Sequence, residues 1–194
     1  MMIARENPFR SERVLAVRYR LPEAGRAALL ERFEALGRRA ALVGPQGAGK
    51  TTLLEDLAPA IRARGFLVRN VQLDDERGFF DASAYRPFFD SLAPGTVVLL
   101  DSAEKLGNRR WREFERESRR ASGLLVTAHG PGLLPTLREC RTTPELLHDL
   151  VRELVGPEAE TLPLERFYER HRGNLREVLR ALYDLYAERV TTAT

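Results

Sequence analysis

Short apolar runs alternate with longer amphipathic segments along the first 142 residues. Buried strands are predicted for RRAALVG (38–44), FLVRNVQLDD (66–75), TVVLLD (96–101), LLVTAH (124–129) and TLRECRT (136–142). Between them, PEAGRAALLERFEALG, KTTLLEDLAPAIRARG and RRWREFERESRRAS have the spacing of amphipathic helices. Strands separated by helices are typical of an α/β fold with a parallel sheet and helices on both faces.

Two segments are less regular, and the pattern changes after residue 142. ERVLAVRYRL (12–21) alternates in part and predicts a short strand, whereas 79–95 predicts a short helix before a Pro–Gly turn. Beyond Thr143, a predicted N-cap, the spacing is helical throughout, with a break near Gly173. We therefore expect a core with an N-terminal extension over 1–142 and a helical appendage over 143–194.

A glycine-rich loop joins the first buried strand to the following helix. Gly44, Gly49, Lys50 and Thr51 fit the pattern G-x-x-x-x-G-K-[ST], which cradles phosphates with backbone amides at a helix N-terminus. Lys50 can reach the β- and γ-phosphates, and the Thr51 hydroxyl can ligate Mg²⁺. The predicted nucleotide-contacting residues are Gly44, Pro45, Gln46, Gly47, Ala48, Gly49, Lys50, Thr51 and Thr52.

Composition strengthens this interpretation. The 31 basic residues include only two lysines, Lys50 and Lys105, and the other 29 are arginines. A compact ammonium fits a tight backbone cage better than a planar guanidinium, so a lysine at position 50 is informative. A net charge of +3 leaves nucleic acid a weakly supported partner, and we interpret the arginine-rich segment 109–120 as a solvated helix face.

Other features set the expected environment. The apolar runs are too short to cross a membrane, and the first residues lack an apolar signal core, so the expected location is the cytoplasm. Cys140 is the single cysteine, which excludes an internal disulfide framework.

Polar residues follow two of the predicted strands. Asp101 closes TVVLLD about fifty residues after the loop, where a carboxylate can hold Mg²⁺. The next residue, Ser102, is a poor base, so Glu104 is the candidate for polarising water, although a solvated acid explains it equally well. Thr127 and His129 stand at the end of the next strand, where open α/β sheets bind ligands.

With these motifs the chain resembles an AAA+ or related signal-transduction ATPase over roughly residues 7–190. The resemblance rests on GPQGAGKT, VVLLD, LLVTAH and the GNLR of HRGNLREVL (171–179). It implies a P-loop NTPase core with a small C-terminal helical lid over 143–194. The implied cofactors are ATP and Mg²⁺, and the implied metal ligands are Thr51 and Asp101.

The same resemblance assigns roles around the γ-phosphate. Thr127 would contact the γ-phosphate or the attacking water, with His129 as an alternative, and Arg176 of the lid would also reach the γ-phosphate. Many hydrolysing members carry glutamate where Ser102 stands, so the chain departs from the pattern required for fast hydrolysis. Members often receive an arginine from a neighbouring subunit, and the candidates here are Arg109, Arg110, Arg138 and Arg141.

Three functional hypotheses follow. The first is a slow Mg-dependent ATPase that acts as a nucleotide-controlled switch, alternates between ATP and ADP, and contacts a protein partner or a second copy of itself. The second is a P-loop kinase of a small acceptor, with Asp74 or Asp75 as its base. The third is a module that holds ATP without turnover, because Ser102 replaces the expected glutamate.

Overall fold

The computed structural model describes residues 7–17, 19, 21, 23–73 and 85–191. These residues form two compact units. The helical unit contains the described residues of 7–17, 45–49 and 141–191, and the sheet unit contains those of 19–44 and 50–140. The division between residues 142 and 143 stays a prediction.

Within the described residues, one five-stranded sheet forms the centre of the sheet unit, and all its paired strands are parallel. The strands are β1 Arg39–Val43, β2 Leu67–Gln72, β3 Thr96–Asp101, β4 Gly123–Ala128 and β5 Thr136–Glu139, in the order β2-β3-β4-β1-β5. The α/β class and the strands predicted for this unit are confirmed. Because the strands are parallel, the carboxyl ends of β1, β3 and β4 lie side by side.

Apart from α1, the α-helices occur where the sequence predicts them. In the described residues they are α1 Ser11–Ala16, α2 Glu23–Ala35, α3 Lys50–Ala63, α4 Arg86–Asp90, α5 Gly107–Glu117, α6 Pro144–Val155, α7 Leu164–Arg170 and α8 Leu175–Thr191. Short 3₁₀ helices occupy Ala103–Leu106, Ser118–Arg120 and Gly156–Thr161. No helix in the described ranges has the length and apolar character needed to cross a bilayer.

The predicted strand over residues 12–21 is wrong, because Ser11–Ala16 forms α1. Val14 and Val17 lie three residues apart, and both pack against the apolar cluster of the helical unit. A spacing of three residues places them on one side of a helical turn. The apolar residues of this segment therefore serve helix packing rather than strand alternation.

Alternate residues of the buried strands serve opposite faces of the sheet. Val98, Leu100 and Val126 pack in one cluster with Phe89 of α4 and Phe114 of α5. The intervening strand residues point the other way, and α3 contacts β1, β2, β3 and β4. This packing fixes the strand ends and the first turn of α3 that carry the polar residues described below.

The helical unit has its own apolar core, which joins both ends of the described chain. Phe9 is 3% exposed and packs edge-on against Tyr186 of α8, with 5.1 Å between the ring centroids. Leu147, Val151 and Leu182 lie in the same buried cluster. The Asn7 side chain donates to the Tyr183 carbonyl oxygen at 2.9 Å, which ties the N-terminal segment to α8.

Candidate nucleotide-binding site

The glycine loop requires its glycines for two different reasons. Gly47 has φ of 77°, and a Cβ there would overlap the side-chain amide oxygen of Asn174. A Cβ on Gly44 would overlap the carbonyl oxygen of Cys140, the residue after β5. Because it lacks a Cβ, Gly47 can adopt its left-handed conformation, and neighbouring atoms can approach both Gly44 and Gly47 closely.

Lys50 and Thr51 begin α3 immediately after the loop. Lys50 is 8% exposed, and its Nζ donates to the Gly44 carbonyl oxygen at 2.8 Å, so the ammonium lies against the start of the loop. The N-terminus of a helix carries a partial positive charge and favours anions. The Lys50 ammonium and the N-terminus of α3 thus both contribute positive potential directly after the glycine loop.

Asp101 is the centre of a hydrogen-bonded group in the sheet unit. The Thr51 hydroxyl lies 3.1 Å from both Asp101 carboxylate oxygens. The Thr127 hydroxyl donates to Asp101 Oδ1 at 2.5 Å and accepts from the Ser102 backbone N–H at 2.7 Å. The structure therefore brings together Thr51, Asp101 and Thr127.

The donor set of this group suits a hard cation. Mg²⁺ prefers oxygen ligands and is held in proteins by one or two carboxylates together with phosphates and water. Thr51 and Asp101 supply a hydroxyl and a carboxylate in direct contact. Among the described residues no group of three or more His, Cys, Asp or Glu is arranged to hold a metal, so further ligands would come from phosphate and water.

Thr127 lies deeper than its predicted contact with the γ-phosphate suggests. Its side chain is 1% exposed, and its hydroxyl bonds to Asp101 and to the Ser102 amide. This arrangement fixes the rotamer of Asp101. The contact with the γ-phosphate or with water stays a prediction.

Ser102 redirects the chain after β3. It has φ of 60° and ψ of 47°, a left-handed conformation that is unfavourable for residues other than glycine. The 3₁₀ helix Ala103–Leu106 follows directly and carries Glu104. Strained backbone next to a bound group is a recurrent feature of functional sites.

Glu104 and His129, two separate candidates in the sequence, form a pair. Glu104 Oε1 lies 3.2 Å from His129 Nε2, and Glu104 Oε2 is buried without a hydrogen-bond partner in the described part of the chain. A cleft of about 240 Å³ beside them is lined by Glu104, Asn108, Trp111 and Gly130, among others. Both residues follow the ends of neighbouring strands, and that adjacency was the signal available in the sequence.

In the helical unit, Asn174 is a loop contact that the sequence analysis missed. Its Oδ1 accepts the Glu177 backbone N–H at 3.3 Å and so caps α8, while the same side chain packs against Gly47. Arg176, the predicted γ-phosphate contact, is exposed and stands two residues after Asn174. The helix start is therefore at the loop, and the role of Arg176 stays a prediction.

The turn between α7 and α8 is tied to the chain after β5. The Thr142 hydroxyl donates to the Gly173 carbonyl oxygen at 2.8 Å, and the Tyr168 hydroxyl donates to the Thr142 carbonyl oxygen at 2.7 Å. Arg172 and Gly173 both have positive φ, of 51° and 75°. These bonds hold the tight turn that presents Asn174.

Three other candidate residues from the sequence, two acids and an arginine, remain to be placed. Asp74 and Asp75 lie outside the described residues. The guanidinium of Arg138 lies 5.9 Å from the ring centroid of Tyr19, where it stabilises the packing within the sheet unit. The role of Arg138 as the arginine supplied to a neighbouring subunit stays a prediction.

A comparison with known families identifies the core. The profile described as "ATPase family associated with various cellular activities (AAA)" matches residues 40–132, just under half of the chain. This range runs from β1 to beyond β4 and includes the loop, Asp101 and Thr127. No curated protein sequence matches the chain.

Solved structures share the fold at low sequence identity. The Thermotoga maritima RuvB Holliday junction branch migration motor has a TM-score of 0.57 and 18% identity, over 87% of this chain and 64% of its own. A DNA replication initiation factor has a TM-score of 0.58 and 18% identity, over 87% and 63%. AMPPCP-bound DnaA from Aquifex aeolicus has 0.50 and 19%, over 82% and 61%.

These similarities establish the fold, and the chain spans less than two thirds of the length of each of these three proteins. The parallel sheet order, the phosphate loop before α3 and the family profile agree with one another. Residues 40–132 match the AAA family profile, and the parallel sheet with its phosphate loop has the fold of a P-loop α/β core.

Proposed function

We propose that the chain binds ATP with Mg²⁺, hydrolyses it slowly and uses the bound nucleotide to control the conformation of its helical unit. The observation that carries the proposal is the contact between Thr51 and both carboxylate oxygens of Asp101 at 3.1 Å. This contact places the Thr51 hydroxyl beside the Asp101 carboxylate. Both groups are needed at one point to bind a cation that is also bound to phosphate.

Each side chain has a separate task in nucleotide binding. The backbone amides of the loop and of the first turn of α3 would donate hydrogen bonds to the phosphate oxygens, and Lys50 would neutralise part of their charge. Thr51 and Asp101 would hold Mg²⁺, which neutralises the β- and γ-phosphate oxygens when it is bound. Thr127 keeps the Asp101 carboxylate in one orientation through its 2.5 Å hydrogen bond.

The two lysines of the chain provide a matched test. Lys50→Ala is expected to weaken equilibrium binding of a fluorescent ATP analogue by at least about tenfold, because the phosphates lose a charge-assisted contact. Lys105→Ala removes the same charge at an exposed position and is expected to leave the affinity unchanged. Equal affinities for wild type and Lys50→Ala would refute nucleotide binding by this loop.

Slow hydrolysis is proposed from the residues that follow Asp101. Ser102 cannot act as a base near neutral pH, and its backbone directs the chain into the 3₁₀ helix that carries Glu104. Glu104 is the nearest following acid in the chain, and His129 contacts one of its oxygens. With a serine directly after Asp101 and Glu104 held against His129, we expect the attacking water to be polarised slowly.

Phosphate release distinguishes a slow ATPase from a module that holds ATP without turnover. If no phosphate is released, the chain holds ATP without turnover. The pairing of Glu104 with His129 and the serine at position 102 would explain that result. Under the first candidate, Glu104→Gln abolishes a measurable rate and preserves binding of the ATP analogue. A rate unchanged in Glu104→Gln would exclude Glu104 as the base.

Control of conformation is proposed from the contact between Gly47 and Asn174. A ligand that orders the loop would act on the capping residue of α8 within the same unit. Arg176 would then respond to the γ-phosphate from the first turn of that helix. Hydrogen exchange of α7 and α8 is expected to differ between ATP and ADP, and identical protection in both states would contradict the switch.

Partners are proposed at a coarser level. Two of the similar structures are named as a Holliday junction branch migration motor and a DNA replication initiation factor, and an assembly or DNA-linked role is the corresponding proposal here. A mass and an ATPase rate that rise together with protein concentration would support self-association with an arginine supplied by a second copy. The kinase alternative has no supporting observation among the described residues.

A further inference from the structure

Helix α5 carries a row of arginines directly opposite its buried side. Trp111 is 7% exposed and Phe114 is fully buried, and both face the sheet cluster. With about 100° of rotation per residue, Arg109, Arg112 and Arg116 fall within about 60° of one another on the opposite side. All three are exposed, and together they are called the arginine ridge below.

Glu115 and Glu117 of α5 lie beside this ridge, and Glu113 lies at its edge, about 40° from Arg109 around the helix. Glu115 contacts Arg119 at 3.2 Å and also Arg39 of β1 at 3.5 Å, while Glu117 contacts Arg116 at 3.2 Å. The side chains of Glu115 and Glu117 are 25% and 17% exposed, compared with 69% for Arg116. The Glu115 and Glu117 carboxylates are therefore turned toward the protein, whereas the Arg116 guanidinium is turned toward solvent.

The charge at the start of the ridge is uncompensated. In the part of the chain that the structure describes, no carboxylate forms an ion pair with Arg109 or Arg112. The segment 109–120 contains six arginines and three glutamates, an excess of three that equals the net charge of the whole chain. The rest of the chain has 25 basic and 25 acidic residues, and α5 itself carries four of these six arginines and all three glutamates.

We propose that the arginine ridge binds the phosphodiester backbone of a nucleic acid. Arginine presents a planar fork of N–H donors that matches phosphate oxygens and stays charged at every physiological pH. Seven residues separate Arg109 from Arg116, which corresponds to about 10 Å along the helix axis with a guanidinium every 5 Å or so. A nucleic acid supplies phosphates continuously along such a row, whatever its sequence.

The alternative of an acidic protein partner is less favoured. Protein carboxylates occur at intervals set by sequence and are neutralised in part by neighbouring lysines and arginines, whereas every nucleotide carries a charge. The ridge is a straight, convex row without an apolar patch among its three residues, and a specific protein interface normally requires buried apolar contacts at its centre. The proposed partner is recognised by charge and shape rather than by base sequence.

Fluorescence anisotropy with a labelled 30-base-pair duplex and with the corresponding single strand tests the proposal in the full chain. The double variant Arg109→Ala/Arg112→Ala is expected to bind about tenfold more weakly and equally so for unrelated sequences. Each lost phosphate contact lowers the magnitude of the salt slope of duplex binding by about 0.9, so the two substitutions lower it by about 1.8. The ratio of duplex to single-strand affinity identifies the preferred form.

The control variant is Arg62→Ala/Arg166→Ala, which removes two exposed arginines on α3 and α7 and has the same net charge. It is expected to bind like the wild type. Three results overturn the proposal: no binding of either nucleic acid by the wild type, an equal loss in both double variants, or displacement by a polyglutamate peptide at the same concentration as by unlabelled nucleic acid. Because the assay omits ATP, its outcome is independent of nucleotide binding by the loop.

Discussion

At the scale of single residues, Cys140 shows how the chain after β5 shapes the start of the phosphate loop. Its carbonyl oxygen occupies the space that a Cβ on Gly44 would need, and its backbone N–H donates to the Val43 carbonyl oxygen at 2.7 Å. Burial raises the pKa of the Cys140 thiol, and the hydrogen bond to Tyr19 opposes that shift. Burial therefore favours the neutral thiol, which packs as an apolar group within the sheet unit.

Tyr19 makes the same cluster sensitive to alkaline pH. Burial raises the pKa of its phenol, with a further contribution from the nearby Cys140. In the unfolded chain the thiol ionises near pH 8.5 and the phenol near pH 10. Above these values the unfolded state binds fewer protons than the folded state, so the free energy of unfolding falls as pH rises.

The free energy of unfolding is therefore expected to fall between pH 8 and pH 10, because the pKa values of Cys140 and Tyr19 are both raised in the folded chain. Urea unfolding of the wild type and of Cys140→Ala at both pH values measures it. The variant is expected to be less stable at pH 8 and to lose less stability on going to pH 10. Parallel losses in the two proteins would contradict the assignment.

The motif residues could be predicted from the sequence because each is fixed by its neighbours in the chain. Lys50 and Thr51 follow the loop by one and two residues, and Asp101 ends an apolar run. The pairing of Glu104 with His129 and the contact of Asn174 with Gly47 depend on packing between distant segments. Local spacing contains no information on such contacts, so these partners could not be assigned.

At the scale of elements, helices α6 and α8 are each capped at the N-terminus by a side chain, but the two capping residues have different neighbours. The Thr143 hydroxyl accepts the Leu146 N–H at 3.2 Å, as its sequence position predicted, and Asn174 accepts the Glu177 N–H at 3.3 Å. Loss of a cap costs about 1 kcal/mol. Only the cap of α8 also packs against the phosphate loop, at Gly47.

Thr143→Ala and Asn174→Ala are therefore expected to lower the free energy of unfolding by similar amounts, about 1 kcal/mol each. Only Asn174→Ala is expected to change the affinity for an ATP analogue, by a few-fold, because the loop loses a neighbouring side chain. Chemical denaturation and equilibrium binding measure the two effects separately. An unchanged affinity in Asn174→Ala would show that the contact with Gly47 does not support the loop.

Strands with a continuous apolar run were predicted correctly from the sequence, whereas helix α1 was predicted as a strand. The buried strands β1, β3 and β4 are continuous apolar runs with polar residues at their ends. Residues 12–21 contain apolar residues at spacings that suit either a strand or one helical turn. Packing of Val14 and Val17 on the helical cluster decides between them, and that partner lies more than a hundred residues away in the chain.

At the scale of the whole molecule, each unit is stabilised by its own core, and the helical unit requires the N-terminal segment. Phe9 packs with residues of α6 and α8, and the Arg13 guanidinium donates to the Leu154 carbonyl oxygen at 3.1 Å. Phe89 is fully buried in the cluster of the sheet unit. Replacing Phe9 or Phe89 therefore removes one buried aromatic ring from the helical unit or from the sheet unit, respectively.

Phe9→Ala and Phe89→Ala are each expected to lower the stability of their unit by about 3 kcal/mol or more, since both remove a buried aromatic ring. Hydrogen exchange followed by mass spectrometry would resolve where protection is lost. Phe9→Ala is expected to expose the amides of α6 and α8 first, and Phe89→Ala those of β3 and α5. If Phe9→Ala reduced protection equally in both units, the chain would unfold as one cooperative body and the two cores would not be independent.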